Sequence, residues 1–297
     1  MNKVRSIFEA KKFSISKLYE KDDDNKDSVD FDVNSGVFCI SDGVSGASFS
    51  EKWSRLIVSN FIKNPFVTNN VELLSWVGPI QLEWYKQVPW EELEFKNINH
   101  IVKAYRGASA TLLGGQVLKI DKQIILKLWA IGDSNLFIIR DSHCIFSFPI
   151  DNFEDFEKDP DILLSLSDKV CGKNICVRGS LIFKKFNLQK DDIIIAASDS
   201  ISAWFLRNRL NSNDQPWIEL CNINNIDEFK TWVINKVESK NMKNDDSTLL
   251  VIRISEIIIC EKCEKEKNSA TSESCMCGIK KINNLKFLFK KKIKKNY

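Results

Sequence analysis

The chain has 297 residues, of which 43% are hydrophobic and 28% charged, a composition typical of soluble globular proteins. Only 11 glycines and 6 prolines are present, which excludes collagen-like and proline-rich chains, and a formal net charge of +3 argues against a dedicated nucleic-acid binder. At roughly 100–200 residues per domain, this length allows one large domain or two small ones.

Short apolar runs alternate with helical patterns along the chain. The run VFCIS at 37–41 predicts a strand, and Ser50 is a plausible N-cap for a helix in which Trp53, Leu56 and Phe61 recur at helical spacing. Further strands are predicted at 108–119, 124–131, 135–140, 145–150, 192–198 and 247–255, with a hairpin turn at 121–122. Helical patterns follow strands at 200–210 and 226–238.

This order of elements indicates the fold class. Two clusters of strands joined by turns, with helices between and outside them, predict an α+β fold rather than a parallel βαβ arrangement. We expect a layered sandwich of two antiparallel β-sheets flanked by helices. The pattern ends near residue 257, so we predict a single catalytic-type domain over residues 1–257.

Three aspartates stand where predicted apolar strands begin or end. Asp42 follows the first run, Asp199 follows the strand at 192–198, and Asp245 precedes the last strand. Carboxylates held at the ends of a rigid sheet can converge to give the hard oxygen ligands that divalent cations prefer. Taken singly, each is equally an aspartate in a turn or at a helix N-cap, where this residue is common.

Five motifs in order carry a resemblance to a known family: GVFCISDGVSGAS at 36–48, GASATLLGG at 107–115, WAIGDSNLFIIRD at 129–141, DIIIAASDSISAW at 192–204 and NDDSTLLVIRI at 244–254. Together they resemble the metal-dependent Ser/Thr protein phosphatases of the 2C type over roughly residues 10–255. Val44, directly after Asp42-Gly43, is similar to bacterial members rather than animal ones.

The resemblance implies a metal centre and an activity. Two Mg²⁺ or Mn²⁺ ions would activate a bridging water that hydrolyses phosphoserine and phosphothreonine, which makes the protein a protein-serine/threonine phosphatase. Asp42 would bridge both ions, the Gly43 carbonyl would bind one of them, and Asp199 and Asp245 would complete the other site. Asp27 would bind through metal waters. The implied partners are a phosphoprotein substrate and the Ser/Thr kinase that phosphorylates it.

The sequence also departs from the family pattern. Ala203 stands where many members have a second aspartate, which leaves Asp133 as the remaining ligand of a third, weaker metal site. Asp22 stands where many members have a phosphate-binding arginine. These departures support an alternative, in which the chain is a catalytically weak or inactive pseudophosphatase that acts as a regulatory binding module.

Nine cysteines are an odd number for a disulfide framework. No apolar signal-peptide core and no apolar run of about 20 residues is present, so we expect a reduced, cytoplasmic protein. Five cysteines stand singly among apolar neighbours and are predicted to be small buried residues: Cys39, Cys144, Cys171, Cys176 and Cys221.

The other four cysteines form two close pairs at 258–279. Cys260 and Cys263 are separated by two residues, and Cys275 and Cys277 by one. Four thiolates in this pattern would suit a structural Zn²⁺ knuckle. A redox pair, unliganded thiols and a chance cluster are the alternatives.

The basic excess lies in the last part of the chain. Residues 256–297 carry 11 lysines against 5 glutamates, and residues 280–297 form a lysine-rich tail. Its apolar residues have helical spacing, so this tail would suit contact with an anionic membrane or with nucleic acid. A solvated tail without a partner is the simpler alternative. A nucleic-acid-binding protein built around the cysteine pairs would explain this end but not the five motifs.

Overall fold

Two five-stranded antiparallel sheets form the centre of the fold, as predicted. The computed structural model describes residues 3–21, 24–65, 70–93, 98–120, 123–170, 173–209 and 215–259. The chain divides into two compact units, one of residues Phe8–Ile254 and one of Met1–Ile7 with Ser255–Tyr297. The four clustered cysteines and the lysine-rich tail lie outside the described residues, so their predicted roles remain predictions.

The first sheet has the strand order β1-β13-β12-β7-β8, and the second has the order β11-β6-β5-β3-β2. The strands of the first are β1 (Lys3–Ile15), β13 (Ser247–Ile259), β12 (Ile193–Ala197), β7 (Asn135–Arg140) and β8 (His143–Phe148). Those of the second are β11 (Ile182–Leu188), β6 (Gln123–Ile131), β5 (Leu112–Ile120), β3 (Val37–Ser41) and β2 (Ser28–Asp32). A third sheet, which the sequence patterns did not predict, joins β10 (Lys173–Arg178), β9 (Ile162–Val170) and β4 (Ser109–Ala110).

Helices cover the outer face of each large sheet. The second sheet packs against α1 (Ser50–Lys63) and α2 (Asn70–Gln87), with α3 (Trp90–Leu93) and α4 (Ile98–Arg106) alongside. The first sheet packs against α5 (Asp199–Arg209), α6 (Pro216–Asn222) and α7 (Ile226–Glu238). The fold is therefore a four-layered sandwich, and the α+β prediction is confirmed.

The central strands are apolar on both faces because each face is covered. In β12, Ile193 and Ile195 pack against the helices, whereas Ile194 and Ala196 pack against the other sheet. All five residues of β12 are buried. Burial on both sides explains why this strand has a continuous apolar run instead of an alternation of apolar and polar residues.

The start of α1 differs from the prediction. Phe49, in a left-handed conformation with φ of 59°, is the N-cap, and Ser50 is the first helical residue. The Ser50 hydroxyl donates to the carbonyl of Val44 at 2.9 Å and so ties the helix to the preceding loop. The Ser50 hydroxyl therefore donates to the loop carbonyl of Val44 and does not cap the free amides at the start of the helix.

Several described elements had no counterpart in the sequence prediction. Helix α2 carries Pro79 in its interior, and an internal proline normally argues against a helix. Strand β11 is mostly exposed, so it lacks the apolar run that identified the central strands. Among the described helices, none is long and apolar enough to cross a membrane.

The cysteines within the described ranges are free thiols. Cys39, Cys176 and Cys221 are buried, and Cys144 is partly buried. Cys171 lies outside the described residues. Burial raises the pKa of the Cys221 thiol to about 11, with Arg253 and Lys11 opposing the shift. This thiol is therefore protonated near neutral pH and behaves as a small buried side chain.

Candidate metal centre

Strand register brings Asp27 and Asp42 to the same end of the second sheet. Strands β2 and β3 are antiparallel, and Ser28 lies opposite Ser41. Asp27 directly precedes β2 and Asp42 directly follows β3, so the next step of the ladder juxtaposes them. The register of the β2–β3 ladder therefore fixes both aspartates at one edge of the sandwich.

The first sheet contributes three more aspartates at its own strand ends. Ala197 of β12 lies opposite Asn135 of β7 and, on the other side, opposite Leu249 of β13. Asp199 therefore follows β12 at the end where Asp133 precedes β7. Asp245 precedes β13 at this same end, because β13 runs antiparallel to β12.

A glycine turn connects the two sheets at this edge. Gly132 joins β6 of the second sheet to β7 of the first and has a φ of 101°, which L side chains rarely adopt. A Cβ atom at Gly132 would lie 2.6 Å from Thr111 Cγ2 and 2.7 Å from the Asp161 carbonyl oxygen. The turn that presents Asp133 thus requires glycine for both conformational and steric reasons.

Thr111 joins the turns of both sheets, a role that the sequence analysis missed. Its hydroxyl accepts a hydrogen bond from the Asp42 amide at 3.0 Å and lies 2.8 Å from the Ser134 hydroxyl. Its own amide donates to the Asp42 carbonyl at 2.8 Å. Because Thr111 is buried, these contacts are shielded from water and hold the first aspartate in register with the Gly132–Ser134 turn.

Asp246 fixes the segment that carries Asp27, and the sequence analysis missed this residue as well. Its Oδ1 atom accepts the Lys17 amide and its Oδ2 atom accepts the Lys26 amide, both at 2.9 Å. The side chain is buried, and both of its partners are more than 200 residues away in sequence. The only signal in the sequence is that Asp246 directly follows Asp245, which suggests that the two carboxylates have different roles.

The carboxylates at this edge destabilise one another's charged forms. Burial, followed by the charge of Asp246, raises the pKa of Asp27 to about 8. Burial and the charge of Asp199 raise the pKa of Asp133 to about 7. For Asp42, burial and the charges of Asp27 and Asp199 raise the pKa well above its usual range.

Bound cations would stabilise the ionised forms of these carboxylates. Both carboxylate oxygens of Asp27 are buried, and neither has a well-formed hydrogen bond among the described residues, although the nearby Thr248 and Ser198 hydroxyls offset part of the rise in its pKa. Buried carboxylates without donors are costly unless a cation satisfies them. The donor chemistry, five carboxylates with a backbone carbonyl nearby, therefore fits a hard divalent ion. Within the described ranges, however, no three Asp, Glu, His or Cys side chains already stand in the arrangement of a metal site.

Lys243 supplies a positive charge at the edge of this cluster. Its Nζ atom lies 2.6 Å from Asp245 Oδ2 and 3.5 Å from Asp199 Oδ2. Burial would lower the pKa of Lys243, but the hydrogen bond to Asp245 and the charge of Asp199 raise it above its ordinary value. The lysine was not singled out in the sequence, because it lies two residues before the motif aspartate and outside any pattern.

Gly43 lies where the chain passes closely beside other backbone. A Cβ atom there would lie 2.7 Å from the Lys26 carbonyl oxygen and 3.0 Å from Ser50 Cβ. Gly43 also forms an isolated β-bridge with Ala110. The close approach explains glycine at this position without reference to a metal, so the predicted role of its carbonyl remains a prediction.

The two departures noted in the sequence have different outcomes. Ala203 lies in α5 and has no side-chain oxygen that could bind a metal ion. Asp22 lies outside the described residues. A third metal site would therefore rest on Asp133 and its neighbours alone.

Comparison with known proteins identifies the fold. No protein-family model matches the chain, and no curated protein matches it by sequence. Among solved structures, the catalytic domain of the serine/threonine protein phosphatase PstP in complex with two manganese ions is similar, with 16% identity and a TM-score of 0.53 over 84% of this chain and 100% of that one. The photosystem II phosphatase PBCP matches with 17% identity and a TM-score of 0.51, over 84% of this chain and 99% of that one. The chain has the fold of these phosphatases.

Proposed function

We propose that this protein is a metal-dependent phosphoprotein phosphatase that removes phosphate from phosphoserine or phosphothreonine with Mg²⁺ or Mn²⁺. The observation that supports the proposal is that strand register brings Asp27, Asp42, Asp133, Asp199 and Asp245 to the same edge of the two sheets, where burial and the charges of neighbouring carboxylates raise the pKa of several of them. A site that only stabilised the fold would gain nothing from gathering like charges.

In this proposal Asp42, Asp199 and Asp245 hold the ions together with the Gly43 carbonyl, and Asp27 supports them from the second sheet. Asp133 is the candidate ligand of a third, weaker site. When bound, two such ions would supply a nucleophilic water at neutral pH and would neutralise charge on the phosphoryl group. No cysteine, serine or histidine nucleophile is needed for this chemistry.

The residues of the chain itself provide the positioning. Thr111 fixes the backbone of Asp42 and contacts the turn that carries Asp133. Asp246 holds the amide of Lys26, directly before Asp27. Because both contacts join segments next to the ends of different strands, they restrict the relative positions of the carboxylates, which is what a preorganised site requires.

Hydrolysis of a phosphothreonine peptide with Mn²⁺ or Mg²⁺ tests this proposal. We expect EDTA, Asp42→Asn and Asp199→Asn each to lower the rate by roughly a hundredfold or more, since metal-ion catalysis contributes several kcal/mol. Asp141→Asn is the matched control, because Asp141 is exposed and lies in a left-handed turn that asparagine tolerates equally. Equal rates in all variants and in EDTA would contradict the proposed mechanism.

Lys243 supports a second candidate function, a pseudophosphatase that binds a partner without efficient catalysis. The ammonium group pairs with the carboxylates of Asp245 and Asp199, which are candidate metal ligands. If it holds them against divalent ions, the chain keeps the fold and loses the reaction. Two results would favour the pseudophosphatase over the phosphatase. The protein would either bind metal without hydrolysing the peptide, or neither bind metal nor hydrolyse the peptide.

A further inference from the structure

A surface cavity of about 800 Å³ is lined in part by the loop that follows Asp42 and carries positive charge. Among the described residues, three cations line it, Lys103, Arg106 and Arg178, and none of the described acidic side chains does. All three are exposed. The cavity thus contrasts with the carboxylate cluster, where the acidic side chains predominate.

Backbone contacts connect the cavity to the carboxylate cluster. Ser109 lines the cavity, and its carbonyl accepts the Val44 amide at 2.9 Å. Two residues further along the chain, Thr111 contacts Asp42. Gly46, which also lines the cavity, is three residues from Gly43. These two segments offer an extended ligand bound at the carboxylates a path into the cavity.

The helix α4 presents two of these cations in a fixed direction. Lys103 and Arg106 are three residues apart, so they lie on the same face of the helix, while Ala104 between them is fully buried. The end of α4 is held by the Ala108 amide, which donates to the Ser165 hydroxyl at 2.7 Å. Gly107, with a φ of 82°, allows this close approach.

The cavity also has apolar and aromatic walls suited to a peptide. Leu164 and Leu166 line it, and Tyr105 is 67% exposed with its ring 5.2 Å from that of Trp90. A free inorganic anion would use only the charges. A peptide would use the charges and the exposed apolar surface together.

We propose that this cavity is a substrate subsite that binds acidic residues flanking the phosphorylated residue. The inference rests on the proposed phosphatase function and specifies its substrate class. The carboxylate cluster repels an acidic peptide at long range, and the cations at the rim offset this repulsion and orient the peptide. The protein therefore prefers phosphoproteins whose phosphorylated site lies in an acidic segment, through complementary charge.

The test compares two phosphothreonine peptides, one flanked on both sides by glutamates and one by lysines. In wild-type protein with Mn²⁺, kcat/KM is expected to be higher for the acidic peptide, and this preference should shrink as salt rises. In Lys103→Glu/Arg106→Glu, the ratio of the two kcat/KM values should fall by roughly tenfold or more, because two rim charges are reversed. Since the ratio is taken within one protein, any general effect on the metal centre cancels.

Lys158→Glu/Lys190→Glu is the matched control, with the same change of net charge at exposed lysines that do not line the cavity. It should keep the wild-type ratio. An unchanged ratio in the Lys103→Glu/Arg106→Glu variant, or an equal fall in the control, would overturn the subsite.

A binding measurement separates this inference from the proposed function. The unphosphorylated acidic peptide, labelled with a fluorophore, should bind the full chain in EDTA, and Lys103→Glu/Arg106→Glu should weaken that binding. If no peptide is hydrolysed but binding still depends on these residues, the phosphatase proposal fails and the acidic-peptide site stands. If hydrolysis proceeds without any peptide preference, the subsite fails alone. Charge-dependent binding of an RNA oligonucleotide in place of the peptide would also overturn it.

Discussion

The ammonium group of Lys243 lies 2.6 Å from the Oδ2 atom of Asp245. The Lys243 Nζ atom also lies 3.5 Å from Asp199 Oδ2, so this one ammonium group pairs with two carboxylates that are candidate metal ligands. A divalent ion that binds these carboxylates has to displace the ammonium group or share them with it. In the proposed metal centre, Lys243 would therefore lower the affinity for a divalent ion.

Replacing Lys243 tests this competition directly. In Lys243→Met, which keeps the length of the side chain without its charge, we expect Mn²⁺ affinity to rise roughly five- to tenfold. The gain is modest because the Lys243 side chain is 66% exposed, and exposed ion pairs contribute only about 1 kcal/mol. Titration calorimetry with Mn²⁺ measures the effect, and Lys190→Met is the control. Weaker binding in Lys243→Met would show that the lysine supports the site instead.

A buried ion pair far from the candidate metal centre tests the account of the fold. Arg140 Nε and Nη2 donate to the two carboxylate oxygens of Asp192 at 2.8 and 2.7 Å, and the Asp192 side chain is fully buried. We expect Arg140→Leu to lower the free energy of unfolding by about 3 kcal/mol, because it removes the opposite charge from a buried carboxylate and leaves only the Gln189 amide as its donor among the described residues.

Urea denaturation measures this loss. Lys158→Ala removes an exposed pair, Lys158 with Asp155 at 2.6 Å, and should leave the unfolding midpoint unchanged. If both substitutions have the same small effect, the Arg140–Asp192 pair does not stabilise the fold as described.

The Gly132 turn provides a test of the link between the two sheets. Gly132→Ala introduces a Cβ atom within 2.8 Å of Thr111 and of the Asp161 carbonyl oxygen, at a φ of 101°. We expect a loss of about 2 kcal/mol of stability from backbone strain alone, and weaker Mn²⁺ binding because the turn carries Asp133.

Gly78→Ala is the contrasting substitution within α2. A Cβ atom there would meet nothing within 4 Å outside its chain neighbours and its own helix, and the preference of alanine for a helix is offset by crowding against Pro79, so stability should change by less than about 0.5 kcal/mol. Thermal unfolding of the two variants side by side should show a clear loss of stability only in Gly132→Ala. A Gly132→Ala variant as stable as wild type would contradict the described turn.

The raised carboxylate pKa values predict how stability depends on pH in the metal-free protein. The pKa of Asp27 is about 8 in the folded state against an ordinary value of 3.8, so between these pH values the folded protein keeps a proton that the unfolded chain has lost. Stability contributed by this group is therefore present below about pH 4 and is lost as pH rises to about 8. The Asp133 carboxyl, with a pKa of about 7, acts in the same direction.

The difference between wild type and Asp27→Asn isolates this effect. In EDTA, the free energy of unfolding of wild type relative to Asp27→Asn should fall as pH rises from about 4 to about 8, because asparagine has no proton to lose. Chemical denaturation at several pH values measures it. A difference that is constant over this range, or that grows with pH, would contradict the buried and unpaired state of Asp27.

The helices and strands that could be predicted from the sequence are those whose apolar pattern lies within the segment itself. The strands around Asp42, Asp133 and Asp199 were recognisable because burial on both faces forces continuous apolar runs that end at a turn. Helix α7, at Ile226–Glu238, follows the predicted residues 226–238 because its apolar residues share one face. The α+β sandwich followed from the order of these elements.

What the sequence did not predict depends on contacts between distant residues. Thr111, Asp246 and Lys243 act through partners that only the folded sheets bring together, and no local pattern distinguishes them from other polar residues. Helix α2 escaped prediction because Pro79 argues against a helix locally, while burial of Trp84 and Val77 in the core outweighs it. Strand β11 escaped because most of its residues are exposed, so it lacks an apolar run.

The most direct test of the central claim is the rate of phosphothreonine-peptide hydrolysis as a function of Mn²⁺ concentration, in wild type, Asp42→Asn and Asp141→Asn. The account predicts that wild type and Asp141→Asn have no activity in EDTA and a rate that rises to saturation with Mn²⁺, whereas Asp42→Asn stays at least roughly a hundredfold slower at every concentration. A rate that is independent of Mn²⁺, or equal in Asp42→Asn and wild type, would contradict a metal-dependent centre built on these carboxylates.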